Sequence, residues 1–164
     1  MDSKPAIVAV SGKKNSGKTT FLCNIIPLLK EKGLRVAAVK HDGHKFDPDV
    51  PGTDSYKLRH AGADGVAIYT DDIFMVLRRQ ANIPPEELFR FFSDFDLILL
   101  EGAKNSPYPK IEIVRAENSK TSVCDPATLL AVCTDADLLM QGVRRIGLSD
   151  YGAAVDIIIK EALL

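Results

Sequence analysis

Eight consecutive residues have types and spacing that suit one kind of chemistry. Gly12-Lys13-Lys14-Asn15-Ser16-Gly17-Lys18-Thr19 fits the pattern G-x-x-x-x-G-K-[ST] at every position. The glycines let the backbone curl so that successive N–H groups point inward at phosphate oxygens. A helix beginning at the end of the stretch adds its positive N-terminal end. Lys18 has the reach to meet the terminal phosphates of a nucleoside triphosphate, and Thr19 brings a hydroxyl to Mg²⁺. The expected nucleotide contacts are therefore Gly12, Lys13, Lys14, Asn15, Ser16, Gly17, Lys18, Thr19 and the neighbouring Thr20, with Lys18 also taking a catalytic part.

Such a loop needs an acid to hold the metal. Glu101 closes the apolar run of "DLILLEG" and is followed by glycine. A carboxylate there falls at the C-terminal edge of a sheet, where open α/β folds bind ligands. Glu101 is assigned to metal binding and catalysis, although many proteins with this loop use aspartate. Asp96, at the other end of the run, reads as a solvated strand end.

A third group of polar side chains follows residue 39: "KHDGHKFDPDVPGTDS". Lys40, His41, His44, Asp54 and Ser55 read as a switch or partner loop that senses phosphate and metal. Asp42 is a candidate metal group with Thr19 and Glu101, and Asp54 a candidate for its outer shell. Lys40 and Arg59 face phosphate, a partner or water. His41 and His44 also raise a zinc pair, but no cysteine or further histidine lies at a suitable spacing. Few apolar anchors beyond Phe46 and Val50 hold the loop, which is expected to be mobile without ligand and ordered with it.

These groups need a frame. Residues 6–11 read as a short buried strand, after which the apolar period changes to helical through Phe21, Leu22, Ile25, Ile26, Leu28 and Leu29. Gly33 suits the helix C-terminus, and Pro27 inside it predicts a kink or one weakened turn. Residues 35–40 form a second strand, giving a strand–helix–strand unit. Residues 54–63 read as a short helix stopped by Gly62. Residues 65–70 and 73–79 flank Asp71-Asp72 as a hairpin. Pro84 and Pro85 open a helix through residue 95. Strands are expected at 96–102, 109–115, 129–135 and 144–150, and a helix from 151 to the last residue. "PKIEIVR" alternates apolar with charged residues and predicts an edge strand. The expected fold is a single α/β domain over residues 1–164: three layers around a mostly parallel sheet, of the P-loop NTPase type, with a hairpin and edge-strand region.

Composition narrows the classes. The 164 residues are 46% hydrophobic and 26% charged, with a formal net charge of -1. That balance argues against nucleic acid as a partner. No apolar run approaches the ~18 residues of a membrane helix. Cys23, Cys124 and Cys133 form no disulfide framework, which predicts a cytoplasmic protein.

The segments "SGKKNSGKTTFL", "VKHDGHKFDPDVPGTDSYKLRHAGA" and "DLILLEGAK" together resemble the molybdopterin-guanine dinucleotide biosynthesis protein B family, MobB. The K-H-x-x-H loop followed by P-G-x-D-S and A-G-A is the specific part. The resemblance is clearest over residues 7–63 and 96–104 and weakens after 109. It implies a P-loop protein that binds GTP with Mg²⁺, hydrolyses it weakly and forms a homodimer. It also implies a guanylyltransferase partner that attaches GMP to molybdopterin, with molybdopterin itself a possible bound substrate. In dimeric members of the wider class, a lysine in the position of Lys13 can reach the nucleotide of the other subunit.

Base choice is open at this level. No N-K-x-D guanine motif is present; Asp135 at the end of "AVCTD" offers an acceptor for guanine N–H groups, with Asp137 as its rival. Two other functional readings also stay open: a small-molecule kinase or ATP-dependent ligase on the same fold, and a metal-insertion GTPase for another metal.

Overall fold

The computed structural model describes residues 4–42 and 46–163. The chain divides into two compact units, residues 42–87 and the remainder.

The larger unit is built on a six-stranded sheet: β1 (Ala6–Ser11), β2 (Val36–Lys40), β5 (Leu97–Glu101), β6 (Lys110–Val114), β7 (Leu129–Thr134) and β8 (Arg144–Ile146). Their order is β2-β5-β1-β6-β7-β8, and every neighbouring pair is parallel. Parallel strands need crossovers on the faces, so both faces are covered and the central strands are apolar on both sides. Two helices, α1 (Lys18–Glu31) and α4 (Tyr151–Ile158), bury Phe21, Ile25, Leu29, Val155 and Ile158 on one face against Val8, Val10, Leu99 and Ile111. Phe89, Phe92 and Phe95 cover Ala9, Ile98 and Leu100 on the other. This is the expected three-layer α/β fold.

α1 runs unbroken through Pro27. Gly33 ends it at φ 84°, a conformation glycine adopts at low cost. The expected helix over 85–95 is divided into α3 (Pro85–Phe89) and a 3₁₀ turn, Arg90–Phe92. Asp96, expected in water, instead accepts the backbone N–H of Arg35 at 2.6 Å and ties the entry of β2 to β5.

One expected strand position is overturned. β6 is not an edge: it lies between β1 and β7, and all five of its residues are buried. Its charged side chains look solvent-facing in the sequence because their partners are distant in it. Lys110 Nζ donates to the carbonyls of Ser106 and Tyr108, both at 2.8 Å, and to Thr128 Oγ1 at 2.9 Å. The Glu112 carboxylate accepts from Ser122 Oγ and, at 2.7 Å, from the N–H of Val123. Burial holds Lys110 below the ordinary lysine value, with Cys124 and Asp125 acting in the opposite sense. Burial, with the Glu112 charge beside it, pushes the Cys124 thiol up to about 11, so it stays protonated. Glu112→Ala orphans the partly buried N–H of Val123, while Ser122 Oγ keeps its contact with the Cys124 carbonyl at 3.4 Å. At about 1–3 kcal/mol for one orphaned group, the expected loss is about 1–3 kcal/mol, measured as a fall in the urea midpoint. An unchanged midpoint contradicts this account of β6.

The smaller unit contains α2 (Asp54–His60) and the antiparallel hairpin β3 (Gly65–Tyr69) and β4 (Phe74–Arg78). Asp47 and Asp49 find their partners inside the unit. Asp49 Oδ1 accepts from Val50 N, Thr53 Oγ1 and Ser55 Oγ at 3.0–3.2 Å. Arg59 pairs with Asp47 and sits 3.9 Å from Asp49 Oδ2. Arg59, expected to face phosphate, a partner or water, is instead an internal clamp only 14% exposed at its side chain. The N–H of Asp49 and then Arg59 hold the Asp47 carboxyl below its ordinary range. Its stabilising contribution is therefore complete above the unfolded value of about 3.9 and is lost as the pH falls through the lowered folded value. Arg59→Gln is expected to speed amide hydrogen exchange over residues 47–56 by about tenfold or more; parent-like exchange would show that the clamp does not hold this loop.

Candidate phosphate-binding site

The loop between β1 and α1 forms because the chain must reverse from a buried strand into a helix within six residues. Gly12 adopts φ 140°, and a Cβ there would lie 2.4 Å from the Ile113 carbonyl oxygen and 2.8 Å from Ser16 Oγ. No side chain fits. Gly17 caps α1 at φ 94°, with no capping side chain and no acid in the first helical turn. The helix N–H groups there are left for an outside acceptor. Ser16 Oγ is buried without a hydrogen-bond partner. A buried hydroxyl with no partner among the described residues, inside a glycine-shaped cradle, is a donor placed for an anion.

Lys18 folds back over the loop, its Nζ donating to the carbonyls of Lys13 at 2.7 Å and Gly12 at 3.3 Å. Burial lowers its pKa; Glu101 opposes that shift and Lys40 adds to it. Its ammonium rests on neutral carbonyl acceptors, and phosphate oxygens are stronger ones.

Pairing of distant strands brings Glu101 to this loop. β1 registers Val10 against Glu101, and β2 registers Lys40 against the same residue. Three backbone-directed bonds fix the turn after Glu101. The N–H of Gly102 donates to Val10 O at 2.9 Å, that of His41 donates to Glu101 O at 3.1 Å, and Ser11 Oγ donates to Gly102 O. Thr19 Oγ1 then donates to Glu101 Oε1 at 2.9 Å, and Lys40 Nζ lies 3.3 Å from the same oxygen. A hydroxyl and a carboxylate in contact beside the cradle fit Mg²⁺, which binds through one or two protein oxygens and completes its shell with water and phosphate. Among the described residues no three His, Cys, Asp or Glu side chains gather as a metal cluster.

Lys13, Lys14 and Asn15 are exposed on the loop, Asn15 at φ 62°, and Thr20 is exposed on the first turn of α1. Asp135 is exposed, and its Oδ1 accepts the N–H of Ala116 at 2.7 Å; Asp137 is exposed nearby in sequence. Asp42 opens the smaller unit. Asp54 pairs with Lys57 at 3.0 Å within α2, and Ser55 is buried on Asp49. His44 lies outside the described residues.

Two residues were not expected. Asn118 Nδ2 donates to the Lys14 carbonyl, and Arg115 Nη2 lies 3.3 Å from where a Cβ on Gly17 would stand. Both follow β6. Reading β6 as an edge strand hid them, because only a central β6 carries its C-terminal end to the phosphate loop.

A parallel sheet with a glycine-rich anion loop leading into the helix after β1, and an acid at the end of β5, defines an α/β protein of the P-loop NTPase type. Within that class the chain matches the family model for molybdopterin guanine dinucleotide synthesis protein B over residues 7–135. It belongs to that family. The molybdopterin-guanine dinucleotide biosynthesis adapter protein of Haemophilus influenzae is 32% identical over 143 residues, covering 84% of this chain and 79% of that one. The adapter protein of Escherichia coli is 30% identical over 163 residues, covering 94% and 91%. The crystal structure of Bacillus subtilis MobB superposes with a TM-score of 0.78 at 30% identity, covering 96% of this chain and 98% of that one.

Proposed function

We propose that this protein is a GTP-binding accessory protein of molybdenum-cofactor biosynthesis that assists the guanylyltransferase and hydrolyses GTP slowly in the cytoplasm. The carrying observation is the Thr19–Glu101 contact beside the Lys18 loop, with Ser16 Oγ left unpartnered inside it. The names of the adapter-protein relatives support the pathway. Lys18 and the loop N–H groups hold the β- and γ-phosphates, and Ser16 supplies a further donor. Thr19 and Glu101 hold Mg²⁺, which when bound neutralises charge developing on the phosphates. Lys40 and His41, at the C-terminal end of β2, report on the nucleotide. Asp135 retains acceptor capacity beyond its bond to Ala116 and reads guanine.

The smaller unit supports an adapter role. Its hairpin exposes Ile68, Tyr69, Ile73, Phe74 and Val76. Apolar groups concentrated on one hairpin suit the homodimer included in this reading. Sedimentation at micromolar concentration tests for that dimer.

Slow turnover is expected because phosphoryl transfer depends on charge neutralisation, and a missing arginine finger costs about 10³–10⁵ in rate. No arginine lies within residues 12–19 or 41–54; Arg115 stands beside Gly17 at the loop, and a fall in turnover on Arg115→Ala would give it the finger's role. GTP and ATP binding by calorimetry with Mg²⁺, together with formation of guanylated cofactor by the guanylyltransferase with and without this protein, tests the whole reading. Equal binding of ATP removes the guanine assignment. Isolated turnover near the ~1–100 s⁻¹ of kinases replaces the accessory role with an enzymatic one.

A further inference from the structure

Two donors converge on one oxygen, Glu101 Oε1. Thr19 Oγ1 is 2.9 Å from it and Lys40 Nζ is 3.3 Å from it. The two partners differ in freedom. The Glu101 side chain is 12% exposed, whereas that of Lys40 is 55% exposed on a flexible four-carbon stem. The backbone around Lys40 is fixed by its register with Glu101 and by the His41 N–H on the Glu101 carbonyl. Its ammonium can therefore leave Glu101 without any shift of strand. Lys40 also bears on the phosphate lysine, because its charge adds to the lowering of the Lys18 pKa.

We propose that Lys40 is an exchangeable counter-cation: it holds Glu101 when no metal is bound and gives up that carboxylate when a divalent cation arrives. The inference rests on the metal-site reading of Thr19 and Glu101. A mostly buried carboxylate next to a hydroxyl is costly to leave without a cation. Lys40 supplies one positive charge where Mg²⁺ supplies two. Two consequences follow. Metal must work against Lys40, both by competition for Oε1 and by repulsion. A triphosphate without metal meets Lys18 beside a Glu101 already neutralised by Lys40, so nucleotide binding depends less on Mg²⁺ than in a site where Glu101 stands unpaired. Lys40 is a positioning residue for the metal site, and its release makes a cation available to the phosphates at the moment the metal takes its place.

The test compares parent, Lys40→Met and Lys40→Arg. Two unit charges at this separation near a protein surface interact strongly enough to move affinities about tenfold after solvent screening. With a fluorescent GTP analogue in EDTA, Lys40→Met is expected to bind about tenfold more weakly than the parent. In a Mg²⁺ titration of the nucleotide complex, its half-saturation is expected about tenfold lower. Lys40→Arg keeps the cation and should follow the parent in both. A Lys40→Met half-saturation equal to that of the parent overturns the proposal. Binding of Mn²⁺ alone, followed by its electron paramagnetic resonance signal, needs no nucleotide. There Lys40→Met is expected about tenfold tighter, and equal affinity overturns the proposal on its own. Absence of GTP binding by the parent refutes the nucleotide reading instead, while the Mn²⁺ comparison still decides the role of Lys40.

Discussion

Lys18→Ala is expected to lower the affinity for GTP–Mg²⁺ by about two orders of magnitude and to leave the fold intact. Hydrogen bonds to charged groups contribute roughly 1.5–3 kcal/mol each, and each 1.4 kcal/mol is tenfold in affinity. Among the described residues Lys18 Nζ bonds the loop carbonyls of Gly12 and Lys13. Its ammonium is held below the ordinary lysine value chiefly by burial, so removing it relieves a desolvated charge and breaks no packing. Calorimetry with GTP–Mg²⁺ gives the affinity, and a urea titration gives the stability, expected to change by less than about 1 kcal/mol. A variant that binds as the parent does would show that the loop between β1 and α1 is not a triphosphate site.

Glu101→Gln is expected to uncouple nucleotide from metal. The amide keeps the size and can still accept from Thr19, but it loses the charge that attracts a divalent cation and the partner of Lys40. GTP hydrolysis should fall by about 100-fold or more, because the rate depends on a positioned metal. GTP binding in EDTA should hold or strengthen, since a negative charge beside the phosphates is gone and Lys40 is released toward them. The Mg²⁺ half-saturation should rise, opposite in direction to Lys40→Met. Single-turnover hydrolysis and the two titrations distinguish these effects. Turnover equal to that of the parent would remove Glu101 from the site.

The parts of the site that sequence alone determined are those made from neighbouring residues. The phosphate loop is one: a strand, eight residues with glycines where no Cβ fits, then a helix whose N–H groups are left open. Its geometry follows from local backbone rules, so the pattern and its context were legible together. Glu101 was legible because an apolar run ending in an acid has few places to go in an α/β fold. The hairpin and the helix at Asp54 were visible for the same local reasons.

What only the tertiary structure decided is which distant charges meet. Strand order places Lys40 and Thr19 on the same Glu101 oxygen, through a register between residues about sixty positions apart that no local period encodes. It moves β6 from the edge to the interior, because Lys110 and Glu112 find partly buried partners among residues 106–128. An alternating charged pattern reads the same whether its partners are water or the interior of the protein. It turns Arg59 from a presumed phosphate or partner contact into a clamp on Asp47 and Asp49. It also brings Arg115 and Asn118 to the phosphate loop from the far end of that misjudged strand. Charge identity is written in the chain, but charge pairing is set by topology, because the Coulomb term depends on distances that only the folded sheet defines.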